Sequence, residues 1–241
     1  MHLRSLFPNQ TIPRIAALFT LCLLLPFSGP AIAQSLYLTP GSPDGIALLP
    51  PPPVPGSPEE TADLQIARAV FLGRTPVDEQ RATKSSSLSF SLFSQAIGPS
   101  FDLARLPKAD SLLQKVKKEI GRTIDIPKEH FKRLRPYQMD ERLSLGKSEA
   151  SASYPSGHST RGTVYALLLA ELFPEHKNAI QEVGRDIGWD RVIIGKHFPT
   201  DVYAGRVLGQ AIFRELVASP SFQRDLAEAK AEIRAAQLQA R

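Results

Sequence analysis

Cysteine is almost missing from this chain. Of 241 residues one is cysteine, Cys22, so no disulfide can form within a single chain and no clustered-thiol metal site is available. Charge of one sign is lacking too: 29 basic against 24 acidic side chains is too even a balance for a nucleic-acid binder, so no nucleic-acid partner is expected. Long apolar runs are scarce. The stretch from Ile15 to Phe27 holds about 13 residues where a membrane-spanning helix needs roughly 20, and the best later one, Val164 to Leu172, already contains Glu171. Stable membrane insertion is not expected. The second half also lacks the apolar–polar alternation of a sheet.

What is present begins with punctuation. Arg4 and Arg14 precede the Ile15–Phe27 run, and Ala31-Ile32-Ala33 then offers small residues at the right spacing for cleavage. Residues 1–33 therefore read as a cleavable secretory signal, with export of a mature chain that starts near Gln34. Its loss removes Arg4, Arg14 and Cys22 and leaves 27 basic against 24 acidic residues. Residues 34–58 carry eight prolines between Thr39 and Pro58, four of them consecutive, which predicts an extended linker or an arm lying on a neighbour. A homo-oligomer is then plausible. Residues 59–241 are expected to form one domain.

Within that domain the periodicity is helical. Glu59-Glu60 suit a first turn before Leu64, Ala67, Val70 and Phe71. Leu88 to Ile97 reads as a buried segment that alternation alone allows as strand or helix, with helix favoured, and Ala109–Gly121 as an amphipathic helix, with Leu112, Leu113, Val116 and Ile120 opposite three lysines. Pro127 predicts a fresh helix start running to Leu134, because proline suits a first turn and Pro136 disfavours helix at Arg135. Ser159–Leu172, Asn178–Ile193, Thr200–Ala218 and Ser221–Gln239 complete an all-α, single-domain bundle of about seven to nine helices. Gly184, Gly188, Gly205 and Gly209 recur every four residues where helices would approach closely, and Trp189 and Tyr203 read as core.

Three separated patterns carry chemistry. Lys128-x6-Arg135-Pro136 places two cations on one side, although Lys132 and Arg133 beside them also suit a plain solvated basic face. Tyr154-Pro155-Ser156-Gly157-His158 stands directly before an apolar helix. Free amides at a helix start, with glycine allowing close approach, seat an anion well, though an ordinary capped turn reads the same way. Arg191-x5-His197-x3-Asp201 puts a carboxylate one turn from an imidazole, where it can hold one ring nitrogen and leave the other as a nucleophile. Such a pair also occurs on surfaces and at metals. His130 and His176 lie outside the patterns, so no metal site is expected.

Together the patterns resemble the phosphatidic acid phosphatase type 2 and vanadium haloperoxidase superfamily, and within it the bacterial class A non-specific acid phosphatases. The likeness runs from about Ala62 to Ala236. It implies an all-α fold, a periplasmic setting, no cofactor, small phosphomonoester substrates and vanadate inhibition. Hydrolysis would pass through a phosphohistidine on His197, with Asp201 orienting it and His158 as proton donor and then base. Lys128, Arg135, Arg191, Ser156 and the amide of Gly157 would hold the phosphate oxygens. An acidic working range follows from the protonated His158 that the leaving group needs. A haloperoxidase, a lipid phosphate phosphatase and a degenerate phosphate-binding protein are the rival readings. Two positions depart from the family pattern: Asp190 stands where a serine is usual, and would repel substrate unless a neighbouring cation takes it, and Lys196 stands where an aromatic is common.

Overall fold

The computed structural model describes residues 36–239; the expected signal at 1–33 lies outside the described residues. The chain runs through α1 (Gly45–Leu48), α2 (Pro58–Leu72), α3 (Pro76–Ser85), α4 (Ser94–Ile97), α5 (Pro107–Phe131), α6 (Pro136–Met139), α7 (Gly157–Leu172), α8 (Lys177–Ile193), α9 (Pro199–Ala218) and α10 (Pro220–Gln239). Among the described residues there is no strand, and seven of the helices have ten residues or more. The fold is all-α.

Helix α7 is the axis of the bundle. It buries residues on every side, from Ser159 and Thr160 through Val164, Tyr165, Leu168 and Leu169 to Leu172, as a helix surrounded by others must. Helices α8 and α9 flank it most extensively, α10 packs along α5, and α3 lies on α8. The glycines expected to permit close packing do so. A Cβ on Gly184 would stand 2.5 Å from that of Ala166, and one on Gly205 would stand 2.6 Å from the Ser156 carbonyl oxygen. Gly205 thereby lets α9 lie directly under the start of α7.

Several expectations need correction. The break at Pro127 does not occur, and α5 continues through it to Phe131. Its buried positions, Leu113, Val116, Ile120, Ile124, Pro127 and Lys128, keep a spacing of three or four across the proline. Core packing thus offsets an internal proline that costs about 3 kcal/mol. The Pro127 ring also meets Gly45 of α1. The proline-rich segment touches its own domain: Leu49 is buried and the Pro50 carbonyl accepts from Tyr154 Oη at 2.5 Å. Tyr37 and Leu38 are buried, their amides donate to Glu119 Oε1 at 2.8 and 2.9 Å, and Tyr37 Oη donates to Asp225 at 2.6 Å. Trp189 and Tyr203 are not core: they are 36% and 66% exposed. Each falls between the buried positions of its helix, so phase overrides aromatic character. Helix α3 was not expected, although Thr75-Pro76-x-Asp78 announces it. Thr75 Oγ1 accepts from the Asp78 amide and Asp78 accepts from the Thr75 amide, a reciprocal cap.

Candidate active site

The three patterns converge where α5 ends and α7 and α9 begin. Ser156 caps α7, with its Oγ accepting from the Ser159 amide at 3.3 Å, and its own amide donates to the Asp201 carbonyl at 2.9 Å. The start of α7 is therefore tied to the start of α9. Gly157 lies against the Lys128 stem, where a Cβ would come within 3.7 Å of Cε. Arg191 and His197 are locked together by a tight turn, since the Arg191 carbonyl accepts from the amides of both Lys196 and His197. Gly195 has a φ of +70° in that turn, and a Cβ there would sit 2.1 Å from the Leu143 carbonyl oxygen.

His197 is 2% exposed and its ring can hold one tautomer only. Nδ1 faces the Asp201 carboxylate at 3.3 Å, and Nε2 faces Arg135 Nη1 at 3.3 Å. A carboxylate accepts and a guanidinium donates, so Nδ1 carries the hydrogen and Nε2 keeps its lone pair. Burial first, then the charges of Arg135, Lys128 and Arg191, hold this imidazole well below its usual range, and it stays neutral. Asp201 is fully occupied. Its Oδ2 also accepts from Ser153 Oγ and from the Phe198 amide, and its Oδ1 accepts from Arg133 at 2.7 Å.

Arg133 corrects the reading of a solvated basic face at Lys132 and Arg133. It is 7% exposed, lies 4.0 Å above the Phe198 ring, and bridges Asp201 to Asp63 of α2, also at 2.7 Å. Asp63 accepts from the amide and hydroxyl of Thr200 as well. An acid–base–acid chain thus runs from α2 to the imidazole.

The cations line the other side. Arg135 donates to the carbonyls of Ser151, Ala152 and Lys196. Lys128 Nζ donates to the carbonyls of Ala152 and Ser153. Burial and the neighbouring Arg135 push this ammonium down to about 7. Arg191 is 2% exposed; it donates to Ser86 Oγ at 2.9 Å and pairs with Glu149 through Nη2, while its buried Nε has no hydrogen-bond partner. His158 is half-buried, with Nε2 3.2 Å from the Ser86 carbonyl oxygen. That carbonyl can only accept, so Nε2 carries the hydrogen. Burial and the Arg191 charge push His158 down to about 4.

Both departures from the family pattern have a place. Asp190 points away from the cage, with Oδ1 taking Arg81 Nε at 2.9 Å and Oδ2 taking Ser85 Oγ at 2.7 Å, so a neighbouring cation does hold it. Lys196 is buried; its Nζ donates to the Lys147 carbonyl at 2.8 Å and lies 4.8 Å from the Tyr137 ring centroid. It pins the segment 137–152 across the site.

A family model for the PAP2 superfamily matches residues 120–225. An acid phosphatase of Zymomonas mobilis is 30% identical over 82% of this chain and 78% of its own, and a non-specific acid phosphatase of Providencia stuartii is 32% identical over 78% and 80%. The chain belongs to the PAP2 superfamily. A lipid A 1-phosphatase of Rhizobium johnstonii is 34% identical, over 39% of this chain and 36% of its own. All eight residues marked by the three sequence patterns fall within the PAP2 match. Asp63 and Ser86 do not, and together with Arg133 and Glu149 they are the contributors that sequence reasoning missed. Among the described residues no helix is long and apolar enough to cross a membrane.

Proposed function

We propose that this PAP2 chain is an exported acid phosphatase that hydrolyses small phosphate monoesters through a phosphohistidine on His197. The observation that carries the reading is the single tautomer of His197, a neutral imidazole aimed from a buried carboxylate into a group of fixed cations. His197 Nε2 attacks phosphorus as the P–O bond to the ester oxygen breaks. The departing oxygen takes a proton from His158. Water then attacks phosphorus, gives a proton back to His158, and the P–N bond breaks to release inorganic phosphate.

Lys128, Arg135 and Arg191, with Ser156 and the first-turn amides at Gly157, hold the three equatorial oxygens, which stay charged throughout. The buried Nε of Arg191 gains a partner when an oxyanion arrives. Vanadate, with the same oxygens and a five-coordinate geometry, inhibits by the same contacts. An acidic range follows from the charges: Lys128 keeps its proton below about 7, burial and the neighbouring cations favour the neutral form of His197, and His158 must be protonated to serve the leaving group. Arg4, Arg14 and Ala31-Ile32-Ala33 support export to the periplasm, with a mature terminus near Gln34.

The test is hydrolysis of p-nitrophenyl phosphate by purified protein and by His197→Ala, with rapid quench for an acid-labile phosphoenzyme. The variant is expected to lose about a thousandfold or more in kcat and to trap no phosphoenzyme. Turnover by His197→Ala within tenfold of the native rate sinks the mechanism, and a halide-oxidising protein without hydrolysis sinks the activity.

A further inference from the structure

Glu149 has no part in the reaction above, yet its carboxylate sits among the groups assigned to phosphate. It pairs with Arg191 Nη2 and faces the charges of Arg135, His158, Lys196 and Lys128. Ser86 Oγ takes the other terminal nitrogen of Arg191 at 2.9 Å. Both terminal nitrogens are therefore engaged by the chain itself, and an oxyanion that binds side-on through the unpartnered Nε and Nη2 competes with Glu149 for Nη2.

The backbone at Glu149 is not free to follow its side chain away. Its amide donates to Tyr137 Oη at 3.0 Å, and the carbonyls of Ser151 and Ala152 just beyond are held by Arg135 and Lys128. Lys196 ties down Lys147 on the other side. With the backbone pinned at both ends, displacement is a rotation of one side chain. Its carboxylate then stays within one side-chain length of the seat, and the partial exposure of the group, 35%, places it on the solvent side.

We infer that Glu149 is a specificity-determining residue: it competes with the entering phosphoryl group for Arg191 and, once displaced, stands at the mouth as a negative charge that disfavours leaving groups carrying a second anion. The inference rests on the assignment of Lys128, Arg135 and Arg191 to the phosphate oxygens. A nearby like charge raises the energy of an incoming anion at both stages, first by occupying its partner and then by repulsion.

The experiment compares the native protein with Glu149→Gln and Arg191→Ala. Binding of inorganic phosphate is measured by calorimetry, and kcat and KM are measured for p-nitrophenyl phosphate and 4-carboxyphenyl phosphate. Glu149→Gln is expected to bind phosphate about three- to tenfold more tightly and to lower KM to match, with a much smaller change in kcat. Its preference for the ester without the carboxylate is expected to shrink by a similar factor. If either the tighter binding or the lost preference is missing, the role given to Glu149 is overturned. Arg191→Ala keeps the two failures apart: if it binds phosphate as the native protein does, the seat itself is misassigned, whereas weakened binding there with no gain in Glu149→Gln defeats Glu149 alone.

Discussion

The two sides of the His197 pocket are built on opposite plans. On the deep side Asp63, Arg133 and Asp201 form an alternating chain that is 4%, 7% and 0% exposed, and their partners come from α2, the end of α5 and the start of α9. At the mouth, Arg191 and His158 are met by Glu149 from a loop and by Ser86 just past the end of α3. The deep contacts are made by groups that no substrate can replace. Those at the mouth are made by a carboxylate and a hydroxyl, which a phosphate oxygen can replace. One side fixes a tautomer and the other is exchangeable, and catalysis by preorganised charge needs both.

The comparison breaks most visibly at Arg133. Arg133→Ala leaves two buried carboxylates facing one another and is expected to cost about 3–5 kcal/mol of stability. Because Asp201 then loses its anchor to α2, kcat should fall at least tenfold even below the melting range. Urea melts together with kcat measured well below the midpoint check both effects. Arg133→Lys is a useful contrast, since an ammonium cannot fork between two carboxylates and should recover only part of either. A stability loss under 1 kcal/mol for Arg133→Ala would show that the deep chain is not what holds Asp201.

The next effect is on pH. Lys128 has its pKa lowered to about 7, chiefly by burial and then by Arg135, so it is charged below that value and neutral above it. A cation lost from the seat weakens substrate binding, so kcat/KM should fall as pH rises through about 7, with the change in KM rather than in kcat. A profile of kcat/KM for p-nitrophenyl phosphate from pH 4 to 9 shows it. A KM that stays level across that range would mean that Lys128 keeps its proton or does not touch the substrate.

The deep side also shows where the sequence could be read and where it could not. His197 and Asp201 stand four residues apart at a helix start, so local spacing predicted their shared direction, whereas Lys128 and Arg135 lie on either side of the end of α5 and their convergence is made by the turn at Lys132. Asp63 lies 70 positions from Arg133 and 138 from Asp201, and only tertiary packing brings it to them. Arg133 looked like one more cation in a basic stretch because burial is not a local property. The bundle was legible for the same reason as the motifs, since α7 to α10 carry unbroken helical periodicity. Pro127 misled because a rule for helix starts was applied where a buried stripe runs through the proline. The docking of Tyr37 and Leu38 was not legible, because proline content predicts extension and is silent about what the extended chain lies on.

The smallest expected effect sharpens the mouth side. Asp190 grips Arg81 and Ser85, and the next residue, Ser86, offers its hydroxyl to Arg191 and its carbonyl to His158. Asp190 is thus a positioning residue for the end of α3. Asp190→Ser keeps a polar group of the family's usual type but cannot span to both partners, and should cost about 1–2 kcal/mol. The Ser86 carbonyl favours the protonated form of His158, so a loosened Ser86 lowers the pKa of that histidine. At a given pH less of it is then protonated, and the limb of the kcat profile that reports the proposed proton donor moves toward lower pH. The native enzyme and Asp190→Ser are compared over pH 3 to 7 with p-nitrophenyl phosphate. A purely structural role would lower the melting temperature and leave that limb in place, whereas a role in positioning moves it.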